Sequence, residues 1–162
     1  MLNTKKEEIK AKKIAFGGGC HWCTEAVFQH VAGVLQVDQG WASSHPPDDE
    51  LSEAVLVHYD ESVSIEKLTE VHLATHSSSS QHAMRKKYRS AVYFLDLQTE
   101  TRAKTYIDSL GKQIITRVLP LMAFEKNVEH YLDYYKKNPE AQFCQRYIQP
   151  KLQRVKEILN TN

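Results

Sequence analysis

The chain has 162 residues, with 21 Lys plus Arg against 20 Asp plus Glu and a formal net charge of +1. Such a balance excludes a strong field that would draw the protein to nucleic acid or to a membrane surface, and three cysteines are too few for a disulfide framework. The length allows a hydrophobic core without metal or disulfide staples, so a single domain over residues 1–162 is expected.

Residues 1–12 are rich in Lys and Glu and lack the apolar stretch of a secretory leader, so they read as a polar, solvated helical arm. No apolar run elsewhere approaches bilayer length. With one cysteine necessarily left over, a cytoplasmic location is the expectation. Lys13–Phe16 is a short apolar run of strand type, broken by Gly17, Gly18 and Gly19. After it, Trp22, Ala26, Val27 and Val31 recur at helical spacing, which predicts a helix over about His21–Val31 with Cys20 at its first turn.

That position carries chemistry. Unpaired backbone N–H groups and the positive end of the helix dipole favour the ionised form of a cysteine there, and only the thiolate is a good nucleophile. Glycines ahead of it let backbone approach a ligand and can aim N–H groups at developing negative charge. Cys23 lies one helical turn on, the Cys-x-x-Cys spacing at which an attacking and a resolving sulfur can meet. The same spacing is open to a structural role or to a metal.

Further along, Ala32-Gly33 ends the helix, and Val34–Trp41 alternates as a strand. A polar loop with Pro46 and Pro47 leads to a third strand over Glu53–Asp60 with Glu53 at its start. Ser64 caps a second helix carrying Ile65, Leu68, Val71 or His72, and Thr75 on one face. A serine loop and the basic cluster Arg85–Arg89 precede a fourth strand over Ser90–Leu95; a short basic turn of this kind reads as solvated surface, not a nucleic-acid site. Asp96 opens a helix with Ala103, Ile107 and Leu110 inward and Gly111 at its end. Ile114–Leu121 is expected as an extra strand, Phe124–Lys136 as an aromatic helix, and Pro150–Leu159 as a terminal surface helix. The order strand, helix, strand, strand, helix, strand predicts an α/β (α+β) split βαβ, ferredoxin-like two-layer sandwich with helices on one face, extended by helical N- and C-terminal segments.

These residues together resemble the peptide methionine sulfoxide reductase A family. Its signature Gly-Gly-Cys-Phe-Trp, then Gly or Cys, then Glu, is similar to Gly18-Gly19-Cys20-His21-Trp22-Cys23-Thr24-Glu25. Gly33-Val34, Gly40-Trp41, Glu53-Ala54-Val55, Lys87-Tyr88-Arg89-Ser90-Ala91-Val92-Tyr93, Tyr134 to Pro139 and Phe143-Cys144 follow in the family's order, so the match covers about residues 12–145. The resemblance implies reduction of the S epimer of methionine sulfoxide, free or in proteins, by a monomer without a bound cofactor, with thioredoxin or another dithiol as external reductant. It assigns attack to the Cys20 thiolate, leaving a sulfenic acid. It gives proton donation to Glu53 and an oxygen-holding hydroxyl to Tyr88. A carboxyl donates near neutrality only where burial keeps it protonated, and Trp22 and Val55 supply apolar surroundings.

Gly19, His21 and Trp22 belong to the substrate site by the same resemblance, with Trp22 as a flat wall for the methyl group. The C-terminal segment 137–162 carries Cys144 at the family's distal resolving position, while Cys23 is a nearer competitor or relay. Three departures bear on catalysis. His21 stands where the family has Phe, its Asn-Pro-x-Tyr tyrosine has no counterpart in the short loop Ala42–Ser52, and its substrate-binding Asp falls on Ala83, leaving His82 or Ser80 as substitutes. Two other functions fit the residues: a thiol–disulfide oxidoreductase using Cys20 and Cys23 alone, and a zinc-binding or redox-sensing module using those cysteines with a histidine.

Overall fold

The computed structural model describes residues 12–76, 89–111, 113–142 and 144–160. Residues 1–11 of the N-terminal arm, the serine loop with Ser80 and His82, Ala83, the basic residues from Arg85 to Lys87, Tyr88 and Phe143 lie outside the described residues. Six strands form one sheet: β1 (Lys12–Gly17), β2 (Val34–Ser43), β3 (Ser52–Tyr59), β4 (Ala91–Phe94), β5 (Arg117–Pro120) and β6 (Ala123–Lys126). Their order is β5-β4-β1-β3-β2-β6. In the four middle strands each neighbouring pair is antiparallel, as in a split βαβ unit, and β5 joins β4 in parallel.

Period-two alternation decides which side chains face which layer. Ile14 and Phe16 of β1, Val55 and Val57 of β3 and Val92 of β4 point to one face, where they pack with Val27, Phe28, Leu68, Val71, Ala103, Val155 and Ile158. Those partners come from α1 (His21–Gln29), α2 (Ile65–Ala74), α3 (Leu97–Ser109) and α5 (Gln149–Leu159). Phe16 and Phe28 stack at 4.7 Å and 8° between planes, fixing α1 on β1. The opposite face carries Ala15, Ala42, Ala54, Ala91 and Tyr93 under Leu56, Leu119, Leu121 and Phe124. Ser64 and Asp96 cap α2 and α3 through hydrogen bonds to the amides of Lys67 and Thr99.

The structure corrects three expectations. Phe124–Lys136 is not one helix: β6 pairs antiparallel with β2, followed by a 3₁₀ turn over Glu129–Tyr131 and the four-residue α4 (Tyr134–Lys137). The outer edge of β2 offers unpaired backbone groups there, and Gly40 lets the carbonyl of Glu125 pass where a side chain would stand. The strand expected over Ile114–Leu121 is only Arg117–Pro120, because its partner β4 offers just the four residues Ala91–Phe94 to pair with. The terminal helix is not purely a surface element, since Val155 and Ile158 are buried in the main core.

Candidate active site

Cys20 is the N-cap residue of α1, at φ −60° and ψ 127°, and is partly exposed. The three glycines before it are held from behind by two stacked imidazoles: His72 Nε2 donates to the Gly17 carbonyl at 2.7 Å, and the His76 ring lies 4.1 Å from that of His72. Gly18 has φ +146°, and a Cβ there would stand 2.5 Å from the His76 ring. Only glycine fits both the backbone and the space.

The Cys20 thiol is lowered from 9.0 to about 7, chiefly by a hydrogen bond from the Cys23 thiol. The amides of Trp22 and Cys23 act in the same direction, while burial and the charge of Glu53 oppose it. Cys23 is correspondingly raised, first by the hydrogen bond it gives and then by burial. Near neutrality this pair therefore holds one nucleophilic sulfur and one protonated sulfur.

Glu53 belongs to the same row of β3 as Val55 and Val57, so its side chain faces α1 and is only 7% exposed. Its Oε1 accepts the His21 amide at 3.1 Å and lies 3.6 Å from His21 Nε2. His21 Nδ1 donates to the carbonyl of Gly40 at 2.8 Å, and the ring meets Trp41 edge-on at 5.2 Å. The substituted ring is thus a buried wall beside the carboxyl, not a surface residue. Trp22 lies parallel to Tyr134 at 4.3 Å and near Tyr131 at 6.2 Å, a contact across more than 100 residues that no local spacing announces.

Cys144 is fully buried in a cluster with Cys23, Ala26 and Ile148, against which Cys20, Tyr134 and Leu152 pack. Burial raises its thiol. The three sulfurs therefore share one corner. Tyr88, assigned to this site by resemblance, lies outside the described residues, while the adjacent Arg89 turns its side chain to the opposite face of the sheet. The Arg89 amide donates to Ser52 Oγ at 2.7 Å and its guanidinium to Tyr93 Oη at 2.9 Å.

The model of one family, described as peptide methionine sulfoxide reductase, matches residues 12–162. The chain belongs to that family. Peptide methionine sulfoxide reductase MsrA of Nautilia profundicola is 30% identical over 168 residues, covering 93% of this chain and 97% of the relative. Among solved structures, Mxr1 from Saccharomyces cerevisiae in reduced form has a TM-score of 0.71 at 21% identity, covering 82% of this chain and 88% of that one. Mxr1 in complex with Trx2 has a TM-score of 0.62 at 18% identity, with coverages of 76% and 85%. These structures share the α/β fold described above.

As a peptide methionine sulfoxide reductase, the chain brings its signature cysteine, the β3 carboxylate and the signature tryptophan to one end of α1. Among the described residues, no group of three or more His, Cys, Asp and Glu could hold a metal ion, and no helix is long and apolar enough to cross a membrane. Sequence reasoning missed Tyr131 and Tyr134 as neighbours of Trp22, and it missed His72 and His76 behind the glycine turn. The cluster of aromatic residues at 131–135 was a signal for the first pair. Nothing local pointed to the second.

Proposed function

We propose that this reductase acts on the S epimer of methionine sulfoxide, free or in proteins, with Cys20 as nucleophile and Glu53 as proton donor. The observation that carries this is a partly exposed Cys20 at the start of α1, its thiol lowered to about 7, beside a buried Glu53 that accepts the next residue's amide. Cys20 thiolate attacks the sulfoxide sulfur, Glu53 protonates the oxygen, and the S–O bond breaks as oxygen passes to Cys20. One thiolate, one sulfoxide and one proton become one thioether and one sulfenic acid, so the substrate sulfur is reduced by the two electrons that Cys20 loses. Tyr88 is assigned to hold the oxygen, and Gly19, His21 and Trp22 to shape the slot.

The resolving order we propose is Cys23 first and Cys144 second. Cys23 already donates to the Cys20 sulfur, so its attack on the sulfenic acid needs little movement and releases water. Cys144, packed on Cys23, then exchanges with the Cys20–Cys23 disulfide and returns Cys20 to its thiol. A dithiol reductant closes the cycle without a bound cofactor; the yeast relative solved with Trx2 supports thioredoxin in that role. A single domain acting as a cytoplasmic monomer, with residues 1–12 as a polar arm and 137–162 as the segment carrying the last cysteine, completes the proposal.

The test is turnover of the two separated sulfoxide epimers of N-acetylmethionine by wild type, Cys20→Ser and Glu53→Gln. Activity confined to the S epimer and lost in both variants is expected. Retained turnover in Cys20→Ser overturns the proposal. The Cys20–Cys23 hydrogen bond also favours a second reading, disulfide exchange by these two sulfurs alone, which predicts reduction of a test disulfide undiminished in Glu53→Gln.

A further inference from the structure

Glu25 is the last residue of the signature stretch, and the chemistry above does not use it. It is 2% exposed, in the middle of α1. Its Oε1 accepts Gln39 Nε2 at 2.9 Å and its Oε2 accepts the Asp133 amide at 2.9 Å. The Tyr134 amide also donates to it. Gln39, itself fully buried, gives a second bond to the Tyr131 carbonyl at 3.1 Å and accepts Asn127 Nδ2 at 2.8 Å. Gln29 donates to Asp133 Oδ1 at 2.7 Å.

The network therefore ties α1 and β2 to the returning segment 127–134. Asp133 sits there in the left-handed region, at φ 56°, a conformation that its surroundings must hold. Burial holds the Glu25 carboxyl above its ordinary value, and the three donors work against that. A group this enclosed contributes through the chain it fixes.

What it fixes is the pair of tyrosines on Trp22. Tyr134 follows the anchored peptide directly, and Tyr131 contributes the carbonyl bound by Gln39. Tyr131 remains 45% exposed beside the indole, so the stack has an outer, solvent-facing edge two residues from the nucleophile.

We propose that Glu25 is a positioning residue that docks the Tyr131–Tyr134 segment on Trp22 and so gives the sulfoxide slot an aromatic wall from the C-terminal part of the chain. The proposal rests on Trp22 lining that slot. The wall serves ground state and transition state alike, so its loss weakens substrate binding without slowing the thiol step.

Glu25→Gln is the decisive variant. One amide cannot accept on both sides, so either the Gln39 or the Asp133 bond must break. With N-acetylmethionine S-sulfoxide as the probe, KM should rise about tenfold while kcat stays within about twofold. Cys20 alkylation by iodoacetamide should keep its rate, and the Trp22 indole N–H resonance should move as the ring loses its stacked partner. Gln29→Ala, on the rim of the network, should change KM and the indole signal in the same direction by less, which keeps the proposal testable if Glu25→Gln fails to fold. An unmoved indole signal with unchanged KM overturns the proposal, as does a parallel fall of kcat and Cys20 alkylation. The indole measurement needs no turnover, so it separates failure of this wall from failure of the reductase assignment.

Discussion

Replacing Cys23 by Ala removes the hydrogen bond that contributes most to lowering the Cys20 thiol from 9.0 to about 7. At pH 7 the native thiol is about half ionised, whereas a thiol at its ordinary value is about 1% ionised, so up to about a 50-fold loss of thiolate is at stake. The Trp22 and Cys23 amides retain part of the effect, while burial and Glu53 push the other way. The rate of Cys20 alkylation by iodoacetamide, followed from about pH 5 to about pH 10, reads this directly. Cys144 is fully buried and contributes little to that signal. In Cys23→Ala the inflection should move upward toward the ordinary range, and at pH 7 the rate should fall by an order of magnitude or more. Cys23→Ser keeps a donor hydroxyl and should hold the inflection much closer to that of the native protein. An inflection still near 7 in Cys23→Ala would refute the argument and assign the ionisation to the helix end instead.

Glu53→Gln should lose roughly 10²- to 10⁴-fold in single-turnover reduction. Because Gln brings no charge that would oppose the thiolate, the same variant should alkylate at no less than the native rate, so slow reduction with an undiminished thiol is the diagnostic combination. Cys144→Ser should complete one turnover at the native rate and then stop with a Cys20–Cys23 disulfide, visible by non-reducing peptide mapping; a first turnover that fails would contradict the order proposed. Gly18→Ala should cost roughly 1–3 kcal/mol, a fall in Tm of roughly 3–10 °C, because φ +146° and the His76 ring both exclude a side chain. Burial works against the charge on Asp38, but hydrogen bonds from Gln36 and His58 outweigh it and depress the carboxyl below 3.8. Stability from this group is therefore present above that range and lost as pH falls through the depressed value, and Asp38→Asn should flatten the acid limb of Tm against pH.

The glycine turn, the helix start at Cys20 and the order of the first four strands were legible because each is a local pattern: a breaker, a 3.6-residue period or a two-residue period. β6 was not. Four residues of which only Phe124 is even partly buried carry no period, and their conformation is set by the free edge of β2 across about 80 residues of chain. The resemblance assigned roles to Cys20, Trp22 and Glu53, yet it said nothing of how Cys20 is ionised. Helix-end amides were the expected cause, and the larger one is the thiol of Cys23. Glu25 was visible only as a letter of the motif, since its partners Gln39 and Asp133 lie 14 and 108 residues away.

Cys144 has no solvent contact, and its neighbours are apolar side chains and another sulfur. A protonated, dry thiol is almost inert toward peroxide in bulk water. In the resolving order proposed above, this places the last thiol out of reach of stray oxidants, and the Cys23–Cys144 pair gives up its two electrons only after the exposed sulfur has reacted.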